Sequence, residues 1–317
     1  MQINFADEIF DVVPAYQILG AMHTAIRQHH AVLVDPGGPG YTKWVAICSS
    51  QLGDSDISYL ISITLISSIF VDSQRYVEVV STPSSLAQIT FTELTESILR
   101  SFHIYVENGR ADKRFIYALL TPELRRDLKE QEKIGAVTFE SSGGITELAR
   151  KIVDDDSART KLSLRAFALF DSDALSPGVP SRDAKDAQRA CKSVGVPFYC
   201  LERRAIENYI PENALSAYAS TSNNAQTRIN RVRIARAFGR LSVEQQSHFH
   251  MKDGFGAPHG QLYDDIAEQD RETLMTGFGS HLSSCYDEGG IANRACLETS
   301  TGWAELQKVI GSLMEVL

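Results

Sequence analysis

Between residues 102 and about 205 the chain alternates short apolar runs with amphipathic ones, and this regularity constrains the fold more than any other feature. "FHIYVE", "IGAVTFE", "LRAFALFDSD" and "VPFYCLE" read as strands, with "ADKRFIYALLTPELRRDLKEQ", "GITELARKIVDDD" and "SRDAKDAQRACKSVG" as the helices between them. Strands that are apolar nearly throughout are buried on both faces, so the expected fold class is α/β, with a parallel sheet sandwiched by helices. Functional residues in such sheets gather at the carboxyl ends of the strands. Glu107, Glu140 and Asp171 all fall there.

The flanking segments are less regular. Residues 1–100 read as a small α/β module of unassigned role. "AVLVD" and "KWVAICS" are expected strands around the turn "PGGPGY", "RYVEVVS" and "LAQITF" further strands, and "TELTESILRS" a helix. "ISYLISITLISSIFV" reads as a buried helix or strand. Residues 101–211 form the central domain, and residues 212–317 a mostly helical region interrupted at "HFHMKDGFGAPHG".

Composition narrows the classes of function. The formal net charge of -9 argues against a protein that coats nucleic acid with its whole surface, while leaving room for a local basic groove. The most apolar run, "YLISITLISSIFV", is too short and serine-rich to cross a bilayer, and "MQINFADEIFD" lacks the build of a signal peptide, so a cytoplasmic protein without a membrane association is expected. The five cysteines form no CxxC pair and read as buried reduced thiols. One acid-free stretch, "TRINRVRIARAFGR", places Arg233, Arg236 and Arg240 on one helical face, either as a solvated face or as a phosphate-contacting one.

The chemistry concentrates in three acids. "AFALF" delivers Asp171 and Asp173 on the same side of an extended chain, close enough to share one divalent cation. A helix cap explains such a pair equally well. Glu107 at the end of another strand of the same expected sheet raises the odds of a metal, because three convergent carboxylates repel unless a cation neutralises them.

A strand ending "VE", a glycine turn, a helix opening "DKRF", the pair "GG" before the next helix, a strand ending "DSD" and the later "ENYI" together resemble the TOPRIM domain, most closely that of OLD-like and anti-phage (PARIS-type) nucleases. The resemblance spans roughly residues 102–211 and extends weakly to Lys252. It implies a TOPRIM-type endonuclease in which Glu107 serves acid/base chemistry or binds metal, Asp171 and Asp173 hold Mg2+ or Mn2+, and Lys252 stabilises the scissile phosphate. Asp112 matches the acid that follows the turn in that family, or is a carboxylate favoured at a helix start. This chain departs from the family turn by placing Asn108 between Glu107 and Gly109. Gly143 and Gly144 either admit a phosphate or simply make a turn. Glu140 reads as a metal ligand or a surface residue. Glu207 reads first as part of a packing and capping segment with Asn208 and Tyr209, and His248 and His250 as structural residues alternating like a strand.

The resemblance further implies a DNA or RNA substrate, tRNA included, and an effector role in anti-phage defence. A separate ABC-type ATPase subunit is implied as partner, since the chain has no GxxxxGK[ST] pattern, and a homo-oligomer is also compatible. Two alternatives stand beside this: a non-catalytic TOPRIM scaffold, and a haloacid-dehalogenase-like phosphatase using Asp171 as nucleophile and Asp173 as acid/base.

Overall fold

A computed structural model describes residues 2–27, 30–52, 58, 76–85, 87–98, 100–158 and 165–317. The chain divides into two compact units. One comprises Met1–Phe102 with Asp156–Arg165 and Met314–Leu317, the other His103–Asp155 with Ala166–Leu313. Each unit is α/β, and the two sheets are four-stranded and parallel.

In the first unit β1 (Gln2–Phe5), β2 (Ala31–Val34), β3 (Tyr76–Val79) and β4 (Gln88–Ile89) pair in the order β2-β1-β3-β4. Ile3, Phe5, Ile18, Val32, Val77 and Val79 form its core. "KWVAICS", expected as a strand, lies within the helix Pro39–Leu52. The buried residues there are Tyr41, Trp44 and Cys48, three and four apart, which is a helical period. Pro39 suits a first helical turn, and the Asp7 carboxylate accepts from the Gly40 and Tyr41 amides at 2.9 Å each, satisfying donors that a helix start leaves free. The expected element at 57–71 lies, apart from Ser58, outside the described residues.

In the second unit β5 (Phe102–Val106), β6 (Val137–Ser141), β7 (Ala166–Phe170) and β8 (Phe198–Cys200) pair in the order β6-β5-β7-β8. Every residue of β5 and β7 is buried, as their unbroken apolar sequence requires. The single helix expected after β5 is two, Ala111–Leu119 and Pro122–Lys133. Pro122 forces Thr121 out of the helical region (φ -61°, ψ 159°), and the Thr121 hydroxyl then accepts from the Leu124 amide to start the second helix.

Beyond β8 the described residues hold helices and 3-10 turns but no strand, among them Ile206–Tyr209, Glu212–Ser220, Ala225–Phe238, Val243–His248 and Trp303–Met314. Residues 212–313 pack in the same compact unit as the second sheet. His248 closes a helix and His250 follows in a turn, so the strand-like alternation expected of them does not occur. The reason is Ser242, whose side chain accepts from the Gln245 amide while the Gln245 side chain returns the bond and starts a helix. All five cysteines are free thiols. Cys48, Cys191 and Cys285 are buried as expected, whereas Cys200 and Cys296 are only half-buried.

Candidate active site

The parallel register of β5 and β7 sets Val106 opposite Leu169, so Glu107 and Asp171 leave the sheet side by side. The Asp171 amide donates to Glu107 Oε1 at 2.8 Å. Asp171 Oδ1 in turn accepts from the Ile206 amide at 3.1 Å, which attaches the turn Ile206–Tyr209 and brings Glu207 to the same edge. That turn is held firmly. Asn208, buried, donates to the Gln246 and Phe249 carbonyls and accepts from the Ala205 amide. The Tyr286 hydroxyl donates to the Ile206 carbonyl at 2.6 Å, and Phe115 packs against the rings of Tyr209 and Tyr286.

Asn108, in the turn after β5, has a defined task. Asn108 Oδ1 accepts from the Arg110 and Ala111 amides at 3.1 and 3.2 Å, and its own amide donates to Asp112 Oδ2 at 2.8 Å. The helix start is capped from both directions. Asp112 therefore has the helix-start role foreseen for it, while its buried carboxylate also feels the acids around it.

Electrostatics set this edge apart. Burial, then the charges of Asp112, Asp173 and Glu207, push Glu107 up to about 8 despite the amide bond from Asp171. Burial and Glu207 push Asp112 up to about 7. Asp171 is raised well above the usual aspartate range by burial and then by Glu107, Asp112, Glu207 and Asp173. Glu207 is raised by burial and partly relieved by Lys252. Among the described residues none of these four carboxylates makes an ion pair, in contrast to Glu140, which Lys151 and His103 neutralise at 2.6 and 3.1 Å. That pairing gives Glu140 a structural role outside the acid group.

Asp173 is placed by strain. At φ 48° it is the one non-glycine residue in the left-handed region among the described residues, a conformation aspartate tolerates better than most. Its amide donates to the Arg204 carbonyl, and the buried Ser172 beside it donates to the Arg203 carbonyl at 2.7 Å. Arg204 and His250 counter the effect of burial on Asp173. Arg204 is itself buried, with Nε lacking a hydrogen-bond partner.

Gly143 and Gly144 follow β6, and the Gly143 amide donates to the Glu107 carbonyl at 2.9 Å. Both have positive φ (79° and 145°) with open space where a Cβ would stand, so glycine is required by the backbone and leaves an open approach to the edge. Lys252 is exposed in a turn locked to residues 274–279: the Phe278 and Gly279 amides donate to the Met251 and Lys252 carbonyls. Gly254 (φ 59°) permits this, since a Cβ there would lie 1.8 Å from the Leu274 carbonyl oxygen.

The structure thus gathers Glu107, Asp112, Asp171, Asp173, Glu207, Gly143 and, through its field on Glu207, Lys252. It does not gather the arginine helix. Arg240, past the helix end, is bonded to Asp270 through both Nε and Nη2, while Arg233 and Arg236 are exposed and share no hydrogen bond or ion pair with the acids among the described residues. Arg240 belongs to a surface ion pair, as the bland reading of that face had it.

Among the described residues no three His, Cys, Asp or Glu side chains form a ready metal cage. No family model, curated protein or solved structure matches this chain.

Sequence reasoning gave too little weight to Glu207, Arg204 and His250. For Glu207 the signal was present in "ENYI": Asn208 alone does the capping and Tyr209 the packing, which leaves Glu207 free to face the acids.

Proposed function

We propose that this protein is a metal-dependent nuclease of the TOPRIM type, hydrolysing phosphodiester bonds of DNA or RNA. The observation that carries the reading is the group of mutually repelling carboxylates at the strand ends, in which Glu107, Asp112, Asp171 and Glu207 make no ion pair among the described residues. A protein keeps such repulsion where an external cation resolves it. The strand order β6-β5-β7-β8 makes β5 and β7 neighbours, so Glu107 after β5 and "DSD" after β7 stand at adjacent strand ends, which supports this reading.

Glu107, Asp171 and Asp173 would hold Mg2+ or Mn2+, for which hard oxygen donors are suited. Such an ion, when bound, supplies charge stabilisation for the phosphate and a more acidic water. The chain's own residues set the rest. The Asp171 amide fixes one Glu107 oxygen and leaves the other free for a proton or a ligand bond. Glu107, raised to about 8, is suited to exchange a proton near neutral pH. Lys252, whose charge acts on Glu207, would stabilise phosphate charge at the same edge. The Ile206 amide likewise fixes Asp171 Oδ1 and leaves Oδ2 for a ligand bond.

The non-catalytic scaffold reading draws on the lack of a ready metal cage among the described residues. One assay separates the two: purified protein with plasmid DNA and with total tRNA, in Mg2+, in Mn2+ and in EDTA, beside Glu107→Gln and Asp171→Asn. Metal-dependent cutting lost in both variants supports the nuclease. A wild type that stays inert, including after co-expression with an ABC-type ATPase partner, supports the scaffold and removes the defence-effector role as well.

A further inference from the structure

Three to ten residues beyond Glu107, the chain builds a second feature that the acids do not use. Arg110, Lys113, Arg114 and Tyr117 recur at spacings of three and four, so they share a face of the helix Ala111–Leu119. Arg125, Lys129 and Lys133 recur at spacings of four on the helix Pro122–Lys133. Both faces line one cavity of about 1050 Å³, closed on its far side by residues 286–293. Gly109 and Tyr286 also line it. Gly109 is two residues from Glu107, and Tyr286 bonds the turn that carries Glu207, so the cavity opens beside the acid edge.

The charge of this cavity runs against that of the chain. Six Lys and Arg line it against three acids, Glu132, Asp287 and Glu288, in a protein of formal net charge -9. Internal pairing accounts for half of the cations: Lys113 with Glu132, Arg114 with Asp287, Lys129 with Glu288. Arg110 and Arg125 make no ion pair among the described residues, and the exposed Lys133 reaches only Glu130, at 3.9 Å. Arg125 Nε is buried without a hydrogen-bond partner. Between the two stripes stands the half-buried Tyr117, with Lys113 Nζ at 5.8 Å and Lys129 Nζ at 5.7 Å from its ring centroid. Surplus cations in a groove that also holds an aromatic ring flanked by two lysines fit a chain of phosphates carrying bases that stack. A solvated helix face would not bury an unpartnered arginine nitrogen, as this groove does with Arg125 Nε.

We infer that this groove binds a single-stranded segment of the nucleic acid, with Arg110, Arg125 and Lys133 on its phosphates and Tyr117 against a base, and feeds the strand to the acid edge. The inference rests on the nuclease reading for its direction, and the arginine helix at Arg233 and Arg236 is not needed for it.

The test is fluorescence anisotropy of a labelled single-stranded DNA and a labelled single-stranded RNA with the full chain in EDTA, over a salt series. Glu107→Gln, the double variant Arg110→Gln/Lys133→Gln and, as control, Arg233→Gln/Arg236→Gln are compared with wild type, and cleavage is assayed separately in Mn2+. Arg110 and Lys133 are exposed, so their removal leaves the fold intact. The groove variant is expected to bind about tenfold more weakly, with the slope of log K against log salt reduced by about 1.4, or 0.7 per lost contact. The control is expected to bind as wild type, and Glu107→Gln, which removes a repelling carboxylate, at least as tightly as wild type. Unchanged affinity and slope in the groove variant would overturn the groove while leaving cleavage to be judged alone, and equal loss in the control variant would overturn it too. So would a wild type that binds neither strand at low salt. Binding weakened in the groove variant without cleavage by any form would uphold the groove and remove the nuclease reading.

Discussion

Glu107→Gln should make the metal-free protein more stable while removing the proposed nuclease activity. The glutamate sits at about 8 in the folded chain against 4.5 for an ordinary glutamate, chiefly through burial and then through Asp112, Asp173 and Glu207. The folded value lies above the unfolded one, so the stability tied to this group is fully present below about pH 4.5 and is lost as pH rises through about 8. At pH 7 the loss is about 3 kcal/mol, and between pH 6 and 8 it grows by about 2 kcal/mol. Glutamine keeps an oxygen to accept from the Asp171 amide and carries no charge, so the variant avoids the loss and eases the repulsion on Asp171. The chain has two tryptophans, Trp44 in one unit and Trp303 in the other, so a Trp44→Phe background lets Trp303 fluorescence report the unit that holds the site. Urea unfolding in EDTA at pH 6 and pH 8 then gives the comparison directly. The variant is expected to gain about 3 kcal/mol at pH 7 and to show a shallower decline toward pH 8. A variant no more stable than wild type at pH 8, or one with the same pH slope, would refute the account of the site as stored repulsion.

Other perturbations follow from the same geometry. Mn2+ or Mg2+ should raise the melting temperature of wild type more at pH 8 than at pH 6, since ligands must lose protons to bind, and should leave Asp171→Asn nearly unmoved; differential scanning fluorimetry reads both. Asn208→Ala strips the buried turn of three hydrogen bonds and should cost about 2–4 kcal/mol in urea unfolding, with Glu207 displaced and cleavage reduced in step. Gly254→Ala places a methyl into the Leu274 carbonyl at an unfavourable φ, so it should loosen the Lys252 turn, seen as faster limited proteolysis near residues 250–256. Asp173→Gly should relieve a left-handed aspartate worth about 1 kcal/mol or more and stabilise the metal-free protein while abolishing metal-dependent cutting.

Strands β5 and β7 were legible because burial on both faces writes an unbroken apolar run, and Glu107, Asp171 and Asp173 were legible because they follow such runs. What failed to show had a local cause. "KWVAICS" looks like a strand until its buried positions are known to fall at Trp44 and Cys48, four apart, a pattern that its other apolar residues Val45, Ala46 and Ile47 hide. Pro122 marked a helix break in plain view, but the apolar period continues across it. Arg240 looked free because its partner Asp270 lies thirty residues away in sequence. The basic groove was hidden for the opposite reason: its cations lie among acids in sequence, and only the packing of two helices keeps Glu123, Asp127 and Glu130 out of the cavity that the cations line.

The two features of the second unit make sense together. A carboxylate edge repels the phosphates it is proposed to cut, so a substrate must be drawn in by something other than the acids. The net charge of -9 worsens that problem at long range. A cation at the acids removes part of the local repulsion, and the groove beside them supplies attraction that does not depend on the metal. The dependence on salt should therefore differ between the two steps. Binding in EDTA should fall steeply with salt in wild type and less so in Arg110→Gln/Lys133→Gln, whereas the turnover of already bound strand in Mn2+ should respond to metal concentration and pH and hardly to salt. Single-turnover cleavage at saturating protein, across the same salt series, measures the second step alone. A turnover rate that falls with salt as steeply as binding would place attraction and chemistry in one set of residues, and would contradict the division of labour between the groove and the acid edge.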